Sequence, residues 1–252
     1  MDEQECRHVK TPRSARTLRR FAYLVLLLIA VPLVWIFRGP IGFANFGVVH
    51  ETRVYRCAQP GDDLEATARD LKIRSILNLR GGSQDDEFYR SEVQVADRLN
   101  LDFYDLPMSA TQRPSRTDLL RLLDILDHCR YPLLIHCKSG ADRTGLATSL
   151  YRLQIQGQNP EKAEEGFSLA YGHIPFFGPD QLHEPLHEYQ QWLQSQNLTH
   201  SPSRFRSWVT WDYADGDPPG ALERPMQPGP RARLARAQSE KKGQPHSDGQ
   251  RR

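Results

Sequence analysis

Residues 132–146 read PLLIHCKSGADRTGL, and the order of residue types in that stretch decides the fold. An apolar run of strand length, 132–137, meets a short polar loop, and the spacing of apolar residues then predicts a helix over 144–156. A loop that leaves a parallel strand and enters a helix presents several backbone N–H groups with no helical acceptor. With the positive end of the helix they form an anion site. The same field favours a thiolate, so Cys137 is expected to act as a nucleophile. Arg143, six positions on, can give paired hydrogen bonds to a phosphoryl group and to the charge that develops on it. Gly140 allows a backbone conformation closed to most side chains and lets the chain approach the anion. His136, Lys138, Ser139, Gly140, Ala141, Thr144 and Gly145 are the expected binding residues around them. Among these, His136 is expected to orient the loop through hydrogen bonds instead of transferring protons, Lys138 either adds positive potential for an anionic substrate or is a solvated loop lysine, and the Thr144 hydroxyl can donate to the sulfur when it leaves.

Outward from this stretch, strand-length runs and helical stretches alternate. Residues 53–56 (RVYR), 73–79 (IRSILNL) and 101–108 (LDFYDLPM) join 132–137 as strands. Helical periodicity occupies 62–71, 85–99, 116–128, 144–156, 160–171 and 183–196. The alternation predicts an α/β domain, a central mainly parallel sheet with helices on both faces.

The His-Cys-x5-Arg-Thr run resembles the phosphate-binding loop of the cysteine-based protein tyrosine phosphatase superfamily, and most of all its small dual-specificity-like phosphatases of bacterial type. Val54-Tyr55-Arg56-Cys57-Ala58-Gln59-Pro60 and Ile76-Leu77-Asn78-Leu79-Arg80 look like the lead-in and first parallel strand of such proteins. The resemblance implies a protein tyrosine phosphatase-like fold and hydrolysis of phosphomonoesters through a phosphocysteine intermediate, with no cofactor and no metal. It also implies a general acid, usually an aspartate in the loop after the strand preceding the catalytic one. Here that loop reads Met108-Ser109-Ala110-Thr111-Gln112-Arg113 and holds no carboxylate. Asp105 lies just upstream on the strand, and Asp102 three residues before it must point to the opposite face. Asp142, inside the phosphate loop, is the other candidate, because an x-Asp-Arg-Thr ending looks like that of phosphoinositide phosphatases. The expected partner is a phosphorylated protein, with an anionic lipid substrate or a catalytically weak phosphate-binding module as the alternatives.

His183-Glu184-Pro185-Leu186-His187 matches the H-E-x-x-H zinc protease pattern. Pro185 fits only the first turn of a helix, so the helix is expected to start near Glu184 and leave His183 outside it. On that ground no metal site is expected.

The flanks differ from the centre. The net charge of +2 divides into basic ends and an acidic middle, where residues 39–215 hold eighteen basic against twenty-four acidic residues. Such a domain is not expected to bind nucleic acid, which needs clustered Lys and Arg. Four cysteines, at 6, 57, 129 and 137, are too scattered for a disulfide scaffold. Residues 21–37, FAYLVLLLIAVPLVWIF, carry no charge and follow a basic segment, 1–20. As a helix they would span about 26 Å, close to the thickness of a hydrocarbon core. A cleaved signal peptide shares these features, but RGPIGFANFG has no A-x-A site, so an uncleaved transmembrane helix is expected. Only Arg38 follows the span closely, which puts 1–20 in the cytoplasm and the catalytic domain, 45–215, on the periplasmic or extracytoplasmic side. Residues 216–252 hold six Pro, five Gly and no aromatic residue, the composition of a disordered basic tail. Before it, the aromatic residues of 205–213 are expected to pack back on the domain. Nothing in the sequence specifies an oligomeric state.

Overall fold

The computed structural model describes residues 20, 23–30, 45–176 and 178–214. The basic segment 1–20, but for Arg20, and the tail 216–252 lie outside the described residues, as does most of the span 21–37. Residues 23–30 of that span form a helical stretch of exposed side chains. Among the described residues no helix is long and apolar enough to cross a membrane.

Five strands form one sheet: β1 (Gly47–His50), β2 (Val54–Cys57), β3 (Ser75–Asn78), β4 (Asp102–Asp105) and β5 (Leu133–His136). Their order is β1-β2-β5-β3-β4, with β2, β5, β3 and β4 mutually parallel and β1 antiparallel to β2. β5 is central, and every residue of β2, β3 and β5 is buried, so these strands need apolar side chains on both faces. The expected mainly parallel sheet is present. Strand β1 was not anticipated, because GVVH is short, irregular in register and half exposed, with Val48 facing solvent.

Helices cover both faces. Helices α1 (Leu64–Asp70) and α2 (Glu87–Leu99) place Leu64, Ala68, Tyr89, Val93 and Ala96 against Tyr55, Ile76, Phe103 and Leu134. On the other face α3 (Arg116–His128) and α4 (Asp142–Gln154) pack on Val54, Leu77, Leu133 and Ile135. The period of two along each strand sends alternate residues to these two cores.

Two helices depart from the sequence reading. Helix α4 begins at Asp142, two residues before the expected start, so Asp142 and Arg143 lie on its first turn. The single helix expected over 160–171 is instead α5 (Pro160–Ala163) followed by 3-10 turns at Glu164–Gly166 and Leu169–Tyr171. Gly166 approaches Ser149 so closely that a Cβ there would stand 2.6 Å from the Ser149 backbone nitrogen, and its carbonyl accepts from Arg56 at 2.6 Å. These contacts occupy the place a continued helix would need. Helix α6 (Glu184–Ser195) starts where Pro185 required, with His183 at its N-cap. Beyond it, α7 (Pro202–Trp211) and Tyr213 bury Phe205, Trp208 and Val209 in the same core, while Trp211 stays exposed.

Candidate active site

The carboxyl ends of parallel strands are where backbone groups are left unpaired and helix N-termini converge. Here β5 delivers Cys137 to that edge, at the head of the loop 137–141 that leads into α4. Cys137 is 1% exposed, and its Sγ accepts from the Gly140 backbone N–H at 3.2 Å. The loop therefore curls around its own sulfur. Gly140 makes this possible with φ of +72°, and a Cβ at that position would meet the Ala58 nitrogen and the Cys57 oxygen at 2.6 Å. Both the dihedral and the backbone contact exclude a side chain there.

Arg143 reaches across the strand ends. Its Nη1 donates to the carbonyls of Leu79 and Met108, each at 3.2 Å, which ties it to the loops after β3 and β4. Its Nε is buried and has no hydrogen-bond partner among the described residues. A buried N–H without an acceptor is costly, and an anion held over Cys137 would supply one. Lys138 and Ser139 are exposed at the rim, whereas Gly140, Ala141, Thr144 and Gly145 are buried beneath. The expected bond from Thr144 to the sulfur is not formed: its Oγ1 is buried and finds no partner among the described residues. His136 is fully buried, with Nε2 2.5 Å from Glu92 Oε1 but off the line of a hydrogen bond.

The two candidate acids sit in different surroundings. Asp105 shares the α2 face of the sheet with Phe103, and its Oδ2 accepts from the Tyr89 hydroxyl at 2.8 Å. Cys137 belongs to the core on the other face. Asp102 points opposite to Asp105, as its spacing required, and pairs with Arg130 at 2.5 Å. Asp142 stands on the first turn of α4, next to Arg143, and its Oδ1 lies 2.8 Å from His173 Nδ1. The carboxylate-free loop after β4 is clamped from its far end by Arg113, which pairs with Glu184 and Glu188 on α6.

Sequence reasoning missed the residues that hold the loop in shape. Arg56, in the middle of a buried strand, donates from Nη2 to the Gly140 carbonyl at 2.8 Å and from Nη1 to Gly166 at 2.6 Å. Its guanidinium lies over the Tyr171 ring, 3.8 Å from the centroid. Burial draws its pKa down to about 10, which leaves it charged at neutral pH and the loop carbonyls satisfied. Asn45 Nδ2 donates to Ser139 O at 2.5 Å and Tyr171 O at 2.8 Å. Gln59 Nε2 donates to Glu92 Oε2 at 3.0 Å. A charged residue inside the run VYRC was the one available signal, since an arginine in a buried strand needs acceptors from elsewhere.

A family model described as "DSP-PTPase phosphatase fused to NAD+ Kinase" matches residues 41–173. Dual specificity protein phosphatase TpbA of Pseudomonas aeruginosa PAO1 is 25% identical over 166 residues, 57% of this chain and 71% of that protein. The protein of the same name from P. aeruginosa UCBPP-PA14 is 27% identical over 117 residues, 44% of this chain and 48% of its own length. Among solved structures, P. aeruginosa TpbA in complex with pTyr shares 22% identity and a TM-score of 0.38, covering 54% of this chain and 87% of that one. The core catalytic domain of the PP-IP phosphatase SIW14 from S. cerevisiae, in complex with citrate, shares 22% identity and a TM-score of 0.46, covering 61% and 93%.

Proposed function

Because the chain belongs to the family of DSP-PTPase phosphatases fused to NAD+ kinase, and is thus a cysteine-dependent phosphatase, we propose that it hydrolyses phosphomonoesters of protein side chains through a phosphocysteine intermediate at Cys137. The observation that carries this reading is the curl of the loop around the sulfur, with Gly140 N–H on Sγ and the Arg143 Nε without an acceptor among the described residues. The Cys137 thiolate attacks phosphorus and the bond to the leaving oxygen breaks. That oxygen takes a proton from the general acid, and the phosphoryl group stays on sulfur. Water then attacks phosphorus, giving its proton back to the same carboxylate, and the thiolate departs with inorganic phosphate released. Arg143 and the loop amides balance the charge on the three non-bridging oxygens throughout.

Asp142 is the general acid of this proposal. It stands on the first turn of α4 beside Arg143, where the loop ends, whereas Asp105 is engaged with Tyr89 on the α2 face of the sheet. Aryl phosphates of graded leaving-group basicity test the choice. Asp142→Asn is expected to slow poor leaving groups about 10²–10⁴-fold and good ones far less, while Asp105→Asn leaves that slope unchanged. The reverse pattern would transfer the role to Asp105.

An anionic lipid headgroup is the second substrate reading, favoured by the exposed Lys138 at the rim. Turnover of headgroup phosphate in vesicles, set beside phosphotyrosine peptides, separates the two. A protein that binds phosphopeptide without Cys137-dependent turnover would instead be a phosphate-binding module.

Anchoring by residues 21–37, with 1–20 cytoplasmic and the catalytic domain, 45–215, on the extracytoplasmic side, completes the proposal. The uncharged run behind clustered arginines supports it. The full chain is expected in the carbonate-resistant membrane fraction and a chain lacking residues 1–38 in the soluble one. Recovery of both in the soluble fraction would refute the anchor.

A further inference from the structure

Three side chains that the proposed phosphatase chemistry does not use converge beyond His173, on the side of that residue away from the catalytic loop. His183 is the N-cap of α6, His187 lies one turn further on, and Glu164 comes from the 3-10 turn that replaces the end of α5. Glu164 Oε1 stands 2.5 Å from His183 Nδ1 and 2.7 Å from His187 Nε2. All three donor atoms lie within 4.8 Å of one another. The cluster is open on one side, where the His187 side chain is 52% exposed.

Contacts run from this cluster to the catalytic loop. Asp142 Oδ1 meets His173 Nδ1 at 2.8 Å, His173 Nε2 meets His183 Nε2 at 2.7 Å, and His183 Nδ1 meets Glu164. Each of these three contacts needs a hydrogen. With a metal ion shared by Glu164, His183 and His187, bound at His183 Nδ1, the His183 Nε2–H donates to His173 and the His173 Nδ1–H to Asp142. Metal-bound histidines usually have the second nitrogen held by an acceptor in this way.

We propose that Glu164, His183 and His187 form a zinc site coupled through His173 to Asp142 of the catalytic loop. Two imidazole nitrogens and one carboxylate oxygen suit Zn²⁺ at about 2.0–2.2 Å, with a fourth position left for water. Donor atoms around one such ion stand about 3.3 Å apart, so the Glu164 carboxylate shifts by less than about an ångström to admit it. The site does not make a zinc protease. Glu184, the general base of an H-E-x-x-H enzyme, is turned to Arg113, whose Nη1 lies 3.1 Å from its Oε2. The ion instead holds His183 and His173 in the orientation that positions Asp142.

The test uses the full chain carrying Cys137→Ser, which removes the catalytic thiolate as a ligand. Cobalt(II) is titrated by visible absorption and displaced with zinc. One equivalent is expected to bind with a tetrahedral spectrum lacking a thiolate charge-transfer band. His187→Ala and Glu164→Gln each weaken binding by at least about a hundredfold, and His173→Asn by about tenfold. Thermal melts of the metal-free variants verify that they fold. No saturable binding, a thiolate band, or binding that both His187→Ala and Glu164→Gln leave unchanged would overturn the site.

Discussion

Cys137→Ser in the full chain is expected to lower hydrolysis of a small aryl phosphate by at least about 10³-fold, because a serine hydroxyl is not ionised at neutral pH. The substitution makes only a small change in atom size at a position 1% exposed, so folding should survive. Binding of phosphopeptide should also survive, since Gly140, Arg143 and the loop amides remain. Steady-state rates, phosphopeptide titration and a thermal melt on the same preparation read these three properties separately. A rapid-quench experiment on the wild type should trap phosphate on Cys137, stable to base and labile to iodine. Turnover by Cys137→Ser within tenfold of wild type would end the phosphocysteine mechanism.

Arg143→Lys carries the second large effect. A lysine keeps the charge but has one nitrogen where the guanidinium has three. Arg143 spends Nη1 on two carbonyls, those of Leu79 and Met108, and retains its Nε edge for the substrate. A single ammonium cannot brace both loops and the phosphoryl oxygens at once. The expected loss is about 10²–10³-fold in kcat, with a smaller rise in KM, because the missing bonds strengthen as charge develops on the phosphoryl oxygens. A variant altered only in KM would show that Arg143 binds the ground state and the transition state alike.

Local features carried much of this protein in one dimension. The β5–loop–α4 stretch is contiguous, so the nucleophile, the glycine at positive φ and the arginine six positions on could be read directly, along with the parallel sheet that such a loop requires. Pro185 likewise marked the start of α6, because its missing N–H is tolerated only in a first turn. What failed was whatever depended on partners distant in sequence. Periodicity over 160–171 gave no warning that Arg56, more than a hundred residues away, would take the Gly166 carbonyl and end the helix. The choice between Asp105 and Asp142 stayed open in the sequence, because each is an aspartate near the right loop. Their difference lies in Tyr89 on one and His173 on the other. The histidines of H-E-P-L-H were set aside because one lies outside the helix, which is true, yet Glu164 reaches both of them from another segment. Residue order alone determined which groups could do chemistry, since that follows from side-chain type and local backbone. Which of them meet, and with what charge between them, was decided by the tertiary structure, because hydrogen bonds and ion pairs depend on distances that sequence separation does not set.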